Sequence, residues 1–519
     1  MESGNGSTDH TKLGNGSVDY STSENGPLDH RTMGLGVRDI TRSETGSLYH
    51  KALKNSSFVD HLRLTTRFKS YEDHTVMQNG SVNDTRMENG LIITNKTILD
   101  VIQEFALGPG QEDPFYVLDL GDVIQKVEAW RELMPRIKIF YAVKCNDTNT
   151  LLETLAILGT GFDCASKKEI RQVLSLGVSP SRIIYAHPCK SEHDLRYASK
   201  VNLPLMTFDS REELVQVKKC YPQEELVLRI LCDALKATYK FGSKYGAPME
   251  DTRKLLSMAK DLGLDVVGVS FHVGSDCREP EAYSRAIAKA KQVFDEAEAL
   301  GMRLTLLDIG GGFPGRISDG LENFASVINS ALDEHFPPQD HNDLKIIGEP
   351  GRYIATSAFT LATSIRAKKT AVVDGQVVKM YYINDGVYGS FSETRFVGEI
   401  FSPVVLNKAT DEEDTERSMI WGPTCCSLDI INRAICLPSL ECGDWFYWPG
   451  MGAYTMVFAA PFNGFPKPSI HSVASPEVWS CLQELSKKYI PSAPNRSCLQ
   501  ELSEKYIPSG INLQDRMRE

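Results

Sequence analysis

Several absences narrow the field before any motif is read. No two of the 12 cysteines form a C-x-x-C pair, so a zinc framework is missing and no metal centre is expected. Positive charge is in deficit: 56 Lys and Arg stand against 68 Asp and Glu, a formal net charge of −12. That argues against nucleic acid or an anionic membrane as partner, because both demand a basic surface. No run nears the roughly 18 apolar residues that a membrane-spanning helix needs. The opening MESGNGSTDH lacks the basic and apolar regions of a secretory leader. A cytoplasmic protein with reduced, scattered thiols is expected. The N-x-S/T patterns at Asn5 and Asn15 then have no glycosylation to direct.

What is present divides the 519 residues into parts. Residues 1–90 are poor in apolar side chains and carry an imperfect ten-residue repeat, NGSTDH at 5, NGSVDY at 15 and NGPLDH at 25. Gly, Asn, Ser and Asp at this density bury too little surface to offset chain entropy, so a disordered extension is expected. Residues 473–519 hold a second duplication, SCLQELSKKYIPS at 480–492 and SCLQELSEKYIPS at 497–509. Each copy has the spacing of a short amphipathic helix stopped by proline, and the segment is expected to be an appended tail.

Between these ends, apolar β-branched runs alternate with helical stretches. The runs are IFYAVKC (139–145), TGFDCAS (160–166), RIIYAHP (182–188), PLMTFDS (204–210), LVLRI (226–230), VVGVSFHVG (266–274), LTLLDIGGG (304–312) and KIIGEPGR (345–352). Eight near-continuous apolar strands joined by helices predict a (β/α)₈ TIM-like barrel over 121–355. An open doubly wound sheet is the alternative. Beyond about 355 the texture changes to strands with Gly, Pro and Asp turns, which predicts a second, antiparallel β domain from 92–120 and 356–472.

Reactive groups in such barrels sit at the C-terminal strand ends. Those ends carry Lys144, Asp163, Arg229, His272, the run Gly310, Gly311, Gly312, and Glu349 with Arg352. A lysine ending an apolar strand is a candidate amine nucleophile, its pKa expected to be depressed by partial desolvation. Three glycines after a strand can turn bare N–H groups onto a phosphate. Alone, each has an ordinary reading: a surface lysine, a Gly-rich turn, a core histidine. Together they supply an amine, a flat ring, a phosphate cradle and a carboxylate, which is what pyridoxal 5'-phosphate requires.

The motifs FYAVKCN, GTGFDCASKKEI, SFHVGSDC, LLDIGGGFPG, GEPGRY, WGPTC and MGAYT with FNGF resemble the eukaryotic ornithine decarboxylase family, which also includes the antizyme inhibitors. The resemblance spans roughly 92–470 and implies an alanine racemase-like, fold-type III architecture with pyridoxal phosphate as cofactor. It implies that Lys144 carries the cofactor, Glu349 pairs with its ring nitrogen and His272 stacks on the ring. Ser275, Gly310, Gly311, Gly312, Gly351, Arg352 and Tyr454 would bind phosphate, and Asp163, Glu169 and Arg229 would support the lysine side. It also implies a homodimer with shared active sites, in which Cys425 reaches in from the partner subunit to help protonate the substrate carbon. Antizyme is a further partner the resemblance allows.

Two departures bear on substrate. The family's GPTCD reads GPTCC here, placing Cys426 where an aspartate receives the distal ammonium. The pattern FNxxLYDH is FSETRFVGEI, and Val397 falls at the second aspartate. An ammonium buried beside a valine and a mostly neutral thiol would cost roughly 3–5 kcal/mol relative to a paired charge. The expectation is therefore a decarboxylase with an apolar pocket acting on leucine or valine. The alternatives are a silent antizyme-inhibitor-like regulator, or ornithine decarboxylase with Cys426 ionised or Glu393 or Glu399 swung in. His187 replaces the usual Asn in AHPCK, without an assignable consequence.

Overall fold

The computed structural model describes residues 85–489 except 89, 233–235, 240–243, 316–319 and 408–414, all within one compact unit, Lys69–Glu519. The N-terminal repeats and the second tail copy lie outside the described residues. Among the described residues no helix is long and apolar enough to cross a membrane.

The eight apolar runs close into a parallel barrel, so the doubly wound alternative falls away. Its strands are β1 (Ile137–Ala142), β2 (Gly161–Cys164), β3 (Ile183–Tyr185), β4 (Leu205–Phe208), β5 (Glu225–Ile230), β6 (Asp265–Phe271), β7 (Leu306–Asp308) and β8 (Lys345–Gly348). Strand β8 pairs with β1 and β5 with β6, completing the ring. Being covered on both faces, the strands are apolar throughout rather than alternating. Gly268 sits at a register shift in β6; a Cβ there would lie 2.4 Å from the Leu306 carbonyl oxygen, so only glycine lets β6 approach β7 this closely.

Serines start three of the connecting helices. Ser166 accepts from the Glu169 N–H (3.3 Å), Ser191 from Asp194 (3.1 Å) and Ser210 from Glu213 (3.4 Å). The S-x-x-E/D spacing satisfies N–H groups that the first helical turn leaves unpaired. Each helix thus begins just past a strand end, and the loops at that rim stay short.

The second domain is mixed rather than antiparallel, a correction to the sequence expectation. Phe359–Val373 pairs antiparallel with Phe115–Asp119, Gln376–Ile383 and Trp445–Trp448. Ser469–Ala474, however, runs parallel to Phe115–Asp119, and Gln376–Ile383 parallel to Thr415–Trp421. Strands so far apart in sequence are free of the hairpin constraint that forces antiparallel pairing. Where that constraint applies, the pairing is antiparallel: Asp374 and Gly375, both at positive φ, close the hairpin AVVDGQVV.

The first tail copy is not an appendage either. Its residues 480–489 form most of the helix Pro476–Tyr489, which sets Leu482 of the copy and Trp479 just before it in the main core.

Candidate active site

Lys144 follows β1, in a 3₁₀ turn (Val143–Cys145) at the C-terminal end of the strand. Its amine is hydrogen-bonded to Asp163 of β2, a fully buried carboxylate. Burial alone pulls the Lys144 ammonium down, but Asp163, Glu349 and Tyr454 outweigh it and the pKa is raised. The expected depression is therefore wrong for the cofactor-free site: carboxylates adjoining the amine outweigh its desolvation. The second Asp163 oxygen, Oδ1, has no hydrogen-bond partner among the described residues.

Burial raises the Glu349 carboxyl well above its ordinary range, and the neighbouring Asp163 and Asp308 push it further. His272 is held neutral, first by burial and then by Arg229 and Lys144. Its Nδ1 accepts the Gly274 N–H at 3.1 Å, which leaves the ring proton on Nε2. Arg229, at the end of β5, lies 5.4 Å from the Tyr245 ring centroid. Glu169 accepts the Ala165 N–H at 2.6 Å, so it braces the β2 loop rather than meeting Lys144.

The glycine run is held from three directions. Gly310 donates to Asp308 (2.9 Å), Gly311 accepts from the Tyr283 hydroxyl (2.9 Å), and Gly312 accepts from the Cys277 N–H (2.8 Å). Gly310 and Gly312 have positive φ, and a Cβ would stand 2.1 and 2.4 Å from backbone oxygens. No acceptor is paired with the Gly311 or Gly312 N–H among the described residues. Beside them Arg352 Nε donates to Ser275 Oγ (3.1 Å), and the guanidinium lies 4.8 Å from the Tyr454 ring. Tyr454 itself has φ of 55° and donates its N–H to the Cys145 carbonyl at 3.0 Å. A Cβ on Gly351 would lie 2.8 Å from Cys145 Cβ, so a bare backbone is needed where the β8 end meets the lysine turn.

These residues fit pyridoxal phosphate. Bare N–H groups, a hydroxyl and a guanidinium converge as phosphate donors. A reachable amine, a neutral imidazole and a carboxyl that burial makes basic complete the set.

Cys425 is not part of this cluster; it is exposed, its N–H donating to Asn463 at 3.1 Å. Asp429 fixes its loop by accepting from the N–H groups of Val387 (2.8 Å) and Thr424 (3.0 Å) and from the Thr424 hydroxyl (2.6 Å). Cys425 and Cys426 are free thiols. Tyr388 donates its hydroxyl to the Cys426 sulfur (3.0 Å), and Arg395 donates to the Tyr388 oxygen (3.0 Å). The Tyr388 hydrogen bond, then a backbone hydrogen bond from Leu428, with Arg395 behind them, pull the Cys426 thiol below its ordinary value. Val397 ends the same short helix, Glu393–Phe396, that carries Arg395.

Three features escaped the sequence reading. Glu393 is buried and forks onto Arg352 through both carboxylate oxygens, so in this arrangement it faces the guanidinium rather than the substrate end. Tyr245, on a loop, meets both Arg229 and His187; His187 Nδ1 in turn accepts the Cys189 N–H at 3.1 Å, a turn-closing role open to Asn as well. Lys190, fully buried, pairs with Glu213 at 2.7 Å. Only the last carried a signal, a lysine in the strand-end motif AHPCK.

Residues 120–356 match the family description "Pyridoxal-dependent decarboxylase, pyridoxal binding domain". The chain is 44% identical over 410 residues to ornithine decarboxylase of Rattus norvegicus, covering 77% of this chain and 88% of that one. It is 45% identical over 385 residues to antizyme inhibitor 2 of Xenopus laevis, covering 72% and 84%. The crystal structure of Paramecium bursaria Chlorella virus arginine decarboxylase bound to agmatine superposes with TM-score 0.69 at 39% identity, covering 72% of this chain and all of that one. None of these relatives is named for leucine or valine, so the comparisons lend that expectation no support. By sequence and by fold alike, the chain belongs to the ornithine decarboxylase and antizyme inhibitor family of pyridoxal-phosphate-dependent decarboxylases.

Proposed function

We propose that the protein is an active decarboxylase that removes the α-carboxylate of an amino acid, rather than a silent regulator like the antizyme inhibitors. One observation carries this reading: the Lys144–Asp163 pair, neutral His272, Glu349, the glycine nest and Arg352 stand together at the C-terminal strand ends of the barrel. A chain relieved of catalysis has no reason to keep the whole set.

Bound pyridoxal phosphate would supply the electron sink that accepts the pair left at Cα when carbon dioxide departs. Lys144 would hold the cofactor and exchange it with the substrate amine, its proton managed by Asp163. His272, held neutral with Nε2–H, would pack against the ring without adding charge. Glu349 would keep a proton at the ring nitrogen. Ser275, Arg352, Tyr454 and Gly310 to Gly312, with Gly351 clearing the way, would fix the phosphate. Cys425 faces outward, which fits a group that returns the proton in the site of a partner subunit. Exposed Phe396 (66%) and Phe462 (42%), adjoining residues bonded to its loop, support a homodimer interface there. Binding of antizyme rests on the family resemblance alone.

Two substrate readings have specific support. The names of the relatives favour a basic amino acid, and they are the stronger evidence from outside the chain. Its own residues favour an aliphatic one: Cys426 and Val397 replace the carboxylates, and Arg395 brings a cation to the Cys426 end. We place leucine or valine as the chain-specific proposal on that ground. Amine release measured across ornithine, lysine, arginine, leucine and valine decides between them. Leucine or valine should lead; a large lead for any basic amino acid returns the protein to the activity of its relatives, and no turnover of any supports the silent regulator.

A further inference from the structure

Arg352 stands among the groups assigned above to phosphate, with Ser275 on its Nε (3.1 Å) and Tyr454 beneath it (4.8 Å). Yet its terminal edge is engaged. Glu393 Oε2 lies 3.3 Å from Nη1 and Oε1 closes on Nη2, with only 7% of the Glu393 side chain and 14% of the Arg352 side chain exposed. The paired Nη1 and Nη2 edge is the part of a guanidinium that matches a carboxylate or a phosphate in two parallel hydrogen bonds. Glu393 already occupies it and cancels its charge. A dianionic phosphate arriving here meets an ion pair of net charge zero, and a carboxylate anion a few ångströms away.

We propose that Glu393 is a built-in competitor of the cofactor phosphate: it neutralises Arg352 and sets the affinity for pyridoxal phosphate low, so that the enzyme loads by displacing its own carboxylate. The inference rests on the cofactor site proposed above. The segment carrying Glu393 is a single turn, Glu393–Phe396, and its carbonyl accepts from the Val397 and Glu399 N–H groups. Releasing Glu393 from Arg352 would therefore also shift the turn that holds Arg395 and Val397, the residues at the substrate end.

The test is a titration of full-length apoprotein with pyridoxal phosphate, followed by absorbance, for the natural protein, Glu393→Gln and Glu393→Asp. Glutamine keeps the shape and removes the charge; aspartate keeps the charge and shortens the reach. Both should bind pyridoxal phosphate more tightly, Glu393→Gln by about tenfold or more. Pyridoxal, which has no phosphate, should bind all three alike, and inorganic phosphate should compete better in the two variants. Equal or weaker pyridoxal phosphate binding by the variants overturns the proposal, because Glu393 would then merely orient Arg352. A parallel gain for pyridoxal also overturns it. If the natural protein binds the cofactor and the variants do not differ, only this inference falls. If no form binds it, the cofactor reading falls as well.

Discussion

Glu153 shows how much a single buried charge can matter in this fold. It sits in the helix Asn149–Ile157, is 8% exposed, and its Oε2 has no hydrogen-bond partner among the described residues. Burial lifts its pKa from 4.5 to about 7. Between those values the folded chain binds more protons here than the unfolded chain does, so this residue's contribution to stability falls as pH rises. Glu153→Gln removes that liability. The variant should gain on the order of 2 kcal/mol at pH 8 and almost nothing at pH 4, read as a higher midpoint of thermal unfolding at the upper pH only. An equal gain at both pH values would mean that packing, not ionisation, is responsible. At the substrate end the residue-scale prediction concerns charge. Val397→Asp together with Cys426→Asp should raise kcat/KM for ornithine relative to leucine by roughly 10²-fold or more, the equivalent of an unpaired buried ammonium regaining a partner. No change in that ratio would remove these two positions from the pocket.

Among the elements, the helix Pro476–Tyr489 departs furthest from its expected role. The duplication made it look dispensable, yet Trp479 and Leu482 are 6% and 2% exposed, and the Tyr489 ring lies where a Cβ at Gly159 would come within 2.9 Å. Trp479→Ala should cost about 3–5 kcal/mol of stability, measured by denaturant unfolding. A loss below about 1 kcal/mol would mean that the helix is only lightly docked. This error has a physical origin: helical spacing can be read from one segment, but the groove receiving it is made by residues hundreds of positions earlier. The barrel was legible for the opposite reason, since a doubly covered parallel strand writes its burial into a continuous apolar run. Lys144, Asp163, His272 and the glycine run were legible as strand ends. The grip of Glu393 on Arg352 and the Arg395–Tyr388–Cys426 chain were not, because they join segments whose approach depends on the second domain. Its mixed sheet was misjudged similarly, since strand direction between distant segments leaves no local mark.

At the scale of the whole molecule, the Lys144 cluster and the exposed Cys425 loop are separate features of one chain, and the proposed enzyme needs both. Two copies arranged so that each loop serves the other's Lys144 cluster would resolve this. Lys144→Ala and Cys425→Ala, each inactive or nearly so alone, should then regain activity when co-refolded, because the mixed dimer contains one intact site. Failure to complement, with dimers present by sedimentation, would place both groups in a single subunit's site. The family assignment and the barrel stand without these tests, and the chemistry itself is tested at Lys144. The most direct measurement is borohydride reduction of the full-length protein incubated with pyridoxal phosphate, followed by peptide mass mapping. The account predicts loss of the long-wavelength absorbance band and a stable reduced cofactor adduct on Lys144, absent in Lys144→Ala. An unmodified Lys144, or an adduct on another lysine, would contradict it.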